Sequence, residues 1–418
     1  MNQATLHAPG PEATHGGATP SSICVARQPI FEANLDVFGY ELLFRRAGAD
    51  RAEIHDSEAA TSRTVVGSLV EIGLETLVGE ALALINVSDR FVLAGHAELV
   101  PRERVALELL EDATPTSELA SRVRELRARG YTIALDDFVY DPAWHPLLEA
   151  AHIVKLEVND VPVAELRKRI TALAPFGVDL LAEKIEDHET FERCKALGFR
   201  YFQGYFLCRP RTMSADAVPS SQLSQLELAS ALRDPEVSIA ELERVIAHDL
   251  GLSYRLLRYI NSAHFALPRR IESIRQAVVL LGLRQVKNLA SVLALAALGD
   301  TPSELLMTAL VRGRMCERAA EELRDGPDAA FTVGLFSLVD AILDRELDHI
   351  LASLPLSSEI AEALLTGGGP HGRTLAAIIA HERGRFDEAA ALMPGVDLAG
   401  AYVDAVAWAN DAHNALRD

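Results

Sequence analysis

In this 418-residue chain, the acids able to do chemistry together recur where apolar runs stop. The stretch Tyr131–Phe138, YTIALDDF, ends its apolar run in two adjacent carboxylates, Asp136 and Asp137. Neighbouring acids are costly to hold unless a cation compensates them, and hard divalent cations take carboxylate oxygens. Other runs stop in the same way: Glu41 with Arg45, Asn86, Glu108 with Glu111, Lys155 with Glu157, Glu183 with Glu186, and Gln203. Carboxylates joined by amide oxygens suit Mg²⁺ or Mn²⁺, and a pair of such ions can activate a water and stabilise an attacked phosphodiester. Lys155 among these acids either positions a hydroxide and neutralises charge or forms a structural ion pair. Arg45, four residues after Glu41, either forks onto a phosphate or pairs with a neighbouring acid. No serine- or cysteine-nucleophile arrangement and no Gly-rich phosphate loop accompanies them.

The elements that must position these residues read as short strands alternating with amphipathic helices. Strands are expected at Ile23–Arg27, Gly39–Phe44, Leu82–Val87, Arg104–Leu109, Thr132–Asp136, Ile153–Leu156, Leu180–Glu183 and Tyr201–Gln203. Helical patterns fall at Ser57–Ile72, Thr116–Arg129, Val163–Leu173 and His188–Leu197, with barely two turns of room at Asp141–Glu149. Such alternation implies a parallel sheet, and this many units imply a (β/α) barrel whose site lies at the C-terminal strand ends. Residues 1–22 read as a disordered tail, 23–212 as the barrel and 213–222 as a linker. From 223 to 418 an all-helical domain with a C-terminal extension is expected. Its helices are expected at Leu242–Leu257, Ile274–Leu281, Arg284–Leu298, Ser303–Leu323, Phe331–Asp344 and Leu375–His381.

Composition narrows the class. With 40 basic against 60 acidic residues and a net charge of −20, the chain lacks the basic footprint that a nucleic-acid partner requires. Its four cysteines have no zinc or CxxC spacing and read as reduced thiols of a cytoplasmic protein. No apolar run is long enough to span a bilayer, and the N-terminus has no signal pattern.

The ordered motifs YELLFR (Tyr40–Arg45), LINVS (Leu84–Ser88), LELLE (Leu107–Glu111), ALDDF (Ala134–Phe138), VKLE (Val154–Glu157), LAEKIE (Leu181–Glu186) and FQGYFLCRP (Phe202–Pro210) resemble the EAL-domain family. The resemblance implies a (β/α) barrel whose active members hydrolyse the bacterial messenger cyclic di-GMP with two divalent metals. It implies that Glu41, Asn86, Glu108, Asp136, Asp137 and Glu183 are metal ligands, with Lys155 near the nucleophilic water and Glu183 also catalytic. By the same resemblance, Gln203 closes the site and Arg45 contacts phosphate. The chain departs from the family pattern in several places. Glu-Ala-Leu is Glu41-Leu42-Leu43, and the Gly-Thr-Gly that follows the aspartates is Val139-Tyr140-Asp141. The Lys-Ile-Asp motif is Lys155-Leu156-Glu157, and the glycine after Glu183 is Lys184. Ligands kept beside a lost supporting loop imply little or no hydrolysis, since misplacement by about 1 Å can cost roughly a hundredfold in rate, and leave binding of the dinucleotide open.

The run Ile246–Phe265 followed by Ile274–Leu289 resembles the HDOD domain, a helical relative of the HD metal phosphohydrolases. His248–Asp249 is a His-Asp pair, but Gly334–Asp340, where a ligand pair would fall, holds no histidine. The resemblance therefore implies a docking module for protein partners with no metal, in which His248 and His264 cap or pack. Three functions follow from the residues and resemblances together. The first is a signalling regulator whose degenerate barrel binds cyclic di-GMP or a partner. The second is an active phosphodiesterase yielding pGpG, and the third is a nucleotide-independent scaffold. The sequence leaves homodimerisation open.

Overall fold

The computed structural model describes residues 23–46, 72–210 and 226–417, except 227, 231, 233–237, 249–251, 254, 255, 258, 259, 262–270, 272, 296–301, 353 and 355. The expected tail (1–22), the expected linker (213–222) and most of the expected helix Ser57–Ile72 lie outside the described residues, as do Asp249 and His264.

Eight strands close into a barrel in chain order. They are β1 (Ile23–Glu32), β2 (Val37–Arg46), β3 (Leu82–Val87), β4 (Val105–Leu109), β5 (Thr132–Leu135), β6 (Ile153–Glu157), β7 (Asp179–Ile185) and β8 (Tyr201–Gly204). From β2 to β8 every neighbouring pair is parallel, but β1 is antiparallel to both β2 and β8. The expectation of a parallel sheet fails at β1 for a simple reason. Four residues, 33–36, separate β1 from β2, too few for a crossover but enough for a hairpin. Between later strands lie α1 (Leu74–Val78), α2 (Asp89–Leu93), α3 (Ser117–Ala128), α4 (His145–Leu148), α5 (Val163–Leu173) and α6 (His188–Ala196). Side-chain caps start several of them: Thr116 accepts from the Leu119 N–H, Asp187 from Thr190 and Ser88 from Phe91. α3 then buries Leu119, Ala120, Val123 and Leu126, the inward stripe of a 3.6-residue period.

Inside the barrel Ile30, Leu84, Ala106, Ala134, Ile153, Leu181 and Tyr201 form one apolar layer. Strand side chains alternate with period two, so the residue two positions further along each parallel strand lies in the next layer toward the C-terminal face. That step leads from Leu84 to Asn86, Ala106 to Glu108, Ala134 to Asp136, Ile153 to Lys155, Leu181 to Glu183 and Tyr201 to Gln203.

The second region is helical: α7 (Ile239–His248), α8 (Ile274–Leu281), α9 (Leu283–Leu295), α10 (Ser303–Leu323), α11 (Pro327–Phe336), α12 (Val339–Leu343), α13 (Leu347–Ala352), α14 (Ser358–Thr366), α15 (Gly369–Glu382), α16 (Phe386–Leu392) and α17 (Leu398–Arg417). The single helix expected at Phe331–Asp344 is broken at Ser337, whose hydroxyl donates back to the Gly334 carbonyl at 2.7 Å.

Helices α15 and α17 pack on β1, which β8 covers only at Ile30–Glu32. Backbone groups left over along β1 find partners there. The Arg27 N–H donates to Tyr402 Oη (2.9 Å), and His381 Nε2 donates to the Val25 carbonyl (2.9 Å). Burial pushes the His381 imidazole down to about 4, so it is the neutral ring that makes this bond. Tyr40 Oη donates to Glu304 Oε2 at 2.7 Å, with the Arg27 guanidinium 4.5 Å from the centre of the Tyr40 ring.

Candidate metal centre at the barrel mouth

Lys155 is 1 % exposed and stands at the centre of the site. Its Nζ lies 3.1 Å from Glu41 Oε2, 2.8 Å from Asp136 Oδ1 and 2.8 Å from Glu183 Oε1, and it also contacts Glu108 Oε1. Four carboxyl groups thus surround one ammonium in an almost dry layer. Gln203 Nε2 donates to Glu41 Oε2 (2.8 Å) and Asn86 Nδ2 donates to Glu41 Oε1 (3.0 Å), so both amides turn their nitrogens toward Glu41.

The electrostatics follow from burial and from the shortage of cations. Burial works against charge on Lys155, but Glu108, Glu41, Glu183 and Asp136 hold its ammonium well above the ordinary lysine range. Burial also works against charge on Glu41. There the Lys155 charge and bonds from Gln203, Lys155 and Asn86 prevail, keeping the carboxyl below its usual range. Burial wins at Glu108, pushed well above the carboxylate range, and at Glu183, pushed up to about 8. One ammonium does not offset four acids, and two of them move toward the neutral form.

The acceptors left over show what would complete the group. Asn86 Oδ1, Glu108 Oε2, Glu183 Oε2 and Gln203 Oε1 are buried with no hydrogen-bond partner among the described residues. All four are oxygens, two from carboxyls and two from amides, the donor set of Mg²⁺ or Mn²⁺. Burying such atoms unpaired costs roughly 1–3 kcal/mol each, so the residues fit a divalent cation.

Of the residues singled out in the sequence, Glu41, Asn86, Glu108, Asp136, Lys155, Glu183 and Gln203 come together. Asp137 and Arg45 do not join them. Asp137, with φ of 38°, turns outward and pairs with Lys184 (3.4 Å), which also pairs with Glu157 (2.9 Å). Arg45 pairs with Asp387 of the helical region at 2.7 Å. Glu111 and Glu186 are exposed outside the cluster. The sequence reading missed Gln28, whose Oε1 accepts from Gln203 Nε2 at 3.3 Å and which stands opposite Glu41 in the β1–β2 register. Because β1 runs the other way, its site residue precedes the apolar layer residue Ile30 by two positions instead of following it. In the helical region Glu346, Asp348 and His349 offer ligand atoms within 4.8 Å of one another. Asp348 and His349 are exposed, and Asp348 Oδ1 already accepts from the His349 N–H. No helix among the described residues is long and apolar enough to cross a membrane.

The chain is similar to known proteins. The EAL domain model matches residues 87–210 and the HDOD domain model residues 218–342. The cyclic di-GMP phosphodiesterase CdgJ of Vibrio cholerae is 32% identical over 357 residues, covering 84% of this chain and 83% of CdgJ. The uncharacterised protein YuxH of Bacillus subtilis is 31% identical over 407 residues, covering 94% of this chain and 99% of YuxH. Among solved structures, an EAL domain protein from Listeria monocytogenes is 18% identical, covering 44% of this chain and 87% of its own, with a TM-score of 0.36. The chain belongs to the bacterial signalling proteins that join an EAL domain to an HDOD domain.

Proposed function

We propose that the barrel binds cyclic di-GMP through a divalent cation, Mg²⁺ or Mn²⁺, with little or no hydrolysis, and that the HDOD region presents this state to protein partners. The observation that carries the reading is the set of four oxygens, on Asn86, Glu108, Glu183 and Gln203, that have no partner among the described residues around the Lys155 cluster. Glu41, Asn86, Glu108, Asp136 and Glu183 would hold the ion. When bound, the ion supplies charge against a phosphodiester and lowers the pKa of a bound water. Lys155 stays protonated among its acids, so it orients and neutralises and does not accept a proton. Glu183, pushed up to about 8 with no ion beside it, would give up its proton on holding the ion. Gln203 and Asn86 hold Glu41 in place. Hydrolysis is held back because Asp137 is tied to Lys184, away from this cluster.

A second reading, an active phosphodiesterase giving pGpG, is favoured by the activity named for the Vibrio cholerae relative. Chromatography of cyclic di-GMP incubated with the protein and saturating Mn²⁺ separates the two. The first reading predicts no appreciable product. Rapid pGpG formation, abolished by both Glu41→Ala and Asp137→Ala, would establish the second.

A further inference from the structure

The site falls into two halves with different cation supplies. The inner half is the buried cluster around Lys155, where acceptors outnumber donors and four oxygens have no partner among the described residues. The outer half is formed by Asp137 and Glu157, the first residue past Asp136 and the last residue of β6. Between their carboxylates lies Lys184 Nζ, 2.9 Å from Glu157 Oε2 and 3.4 and 3.5 Å from the two Asp137 oxygens.

This arrangement is imposed by the backbone. Lys184 has φ of 58° and Asp137 φ of 38°, a region that residues with a Cβ adopt rarely and that persists where surroundings fix it. The β7–β8 register is irregular between Ala182 and Ile185, so the strand bulges at Glu183–Lys184. A bulge re-aims a side chain, and here Glu183 turns inward while the next residue faces the mouth. Asp137 is fixed in turn because the following Phe138 N–H donates to the Lys155 carbonyl at 3.1 Å. Both partners of the outer ion pair are thus anchored to strands that also carry the inner cluster.

We infer that Lys184 is the resident cation of the outer half, so that this barrel takes one divalent ion per chain, in the inner half, and not two. Around Lys155 four acids share one ammonium, whereas Lys184 serves only two, so a second ion at Asp137 would meet a nearly balanced charge or have to displace the ammonium from both carboxylates. The inference rests on the proposed metal site, and it adds which part of that site an ion can enter.

Counting ions tests it without reference to turnover. The full chain is stripped with chelator, reloaded with Mn²⁺ and analysed by calorimetric titration and elemental analysis, with the Mn²⁺ paramagnetic resonance spectrum recorded alongside. The wild-type protein should bind one Mn²⁺ with the spectrum of an isolated ion. Lys184→Gly, which also suits the positive φ, should bind two, with the line broadening of a coupled pair. Lys184→Arg, which keeps the charge, should bind one. Two ions in the wild-type chain, or one in Lys184→Gly, would overturn the role given to Lys184 while leaving the metal site standing. No tight Mn²⁺ in any of the three would overturn the metal site itself, and this inference with it.

Discussion

At Lys155 a single ammonium balances Glu41, Glu108, Asp136 and Glu183 inside the barrel, and the site's behaviour follows from that imbalance. Lys155→Met removes the only cation touching those four acids among the described residues, which should cost about 3–5 kcal/mol of stability. Thermal melts should show the loss, with partial recovery on adding Mn²⁺; an unchanged midpoint would mean the acids need no compensation. Proton linkage gives a second expectation. Glu183 titrates at about 8 in the folded protein against an ordinary 4.5, and Glu108 is shifted in the same direction. Between those pH values the folded state holds protons that the unfolded chain has released. The contribution of these two carboxyls to the metal-free protein's stability should therefore be fully present below about pH 4.5 and be lost as pH rises through about 8. Mn²⁺ needs the ionised carboxyls, so its affinity should rise over the same window. Melts without metal and Mn²⁺ titrations at several pH values check both slopes, and a metal-free protein that gains stability over this window would contradict them.

Strands β7 and β8 show how tightly the elements hold the site. Gly204 closes β8 directly after Gln203 with φ of 153°, and a Cβ there would meet the Ile185 carbonyl oxygen at 2.0 Å and its nitrogen at 2.5 Å. Gly204→Ala must therefore move backbone, and a loss of roughly 2–4 kcal/mol is expected, together with weaker ligand binding as Gln203 shifts. A melt and a cyclic di-GMP titration on this variant would show both effects, and wild-type values for both would mean the β7–β8 contact is loose. Strand positions were largely readable from sequence, because buried strands are short apolar runs ending in polar residues. Seven of the proposed site residues, Glu41 and Asn86 to Gln203, were legible by that sign. Gln28 was not, because nothing local reveals that β1 runs backwards. Helix α17 falls outside the helices expected from sequence, although Leu398, Ala401, Tyr402, Ala405, Val406, Ala409 and Ala412 are buried at helical spacing. That pattern is dominated by alanine and carries little hydropathy contrast. The outward turn of Asp137 was illegible too, since it depends on Lys184, 47 residues away.

Over the whole molecule, the helical region is bound into the barrel. Glu304, His381 and Tyr402 bond to β1 and β2 on their outer face, while Gln28 and Glu41 of the same strands face the site. Near the mouth Arg45 is taken up by Asp387. If Arg45 is to contact phosphate, as the family resemblance implies, it must exchange that partner. A half-exposed ion pair of this kind is worth about 0.2–1 kcal/mol, so Asp387→Asn should tighten cyclic di-GMP binding by up to about fivefold. Unchanged affinity in calorimetry would leave Arg45 outside the binding step. No pattern in the sequence links Arg45 to Asp387, because the pair exists only once the two regions are packed together. The most direct test of the account is a calorimetric titration of cyclic di-GMP into the full chain, with Mn²⁺ and with chelator, in the wild type and in Glu108→Gln. Binding is expected with Mn²⁺, at least tenfold weaker binding with chelator, and little response to Mn²⁺ in the variant. Equal affinity in all four titrations would contradict a metal-held nucleotide in this barrel.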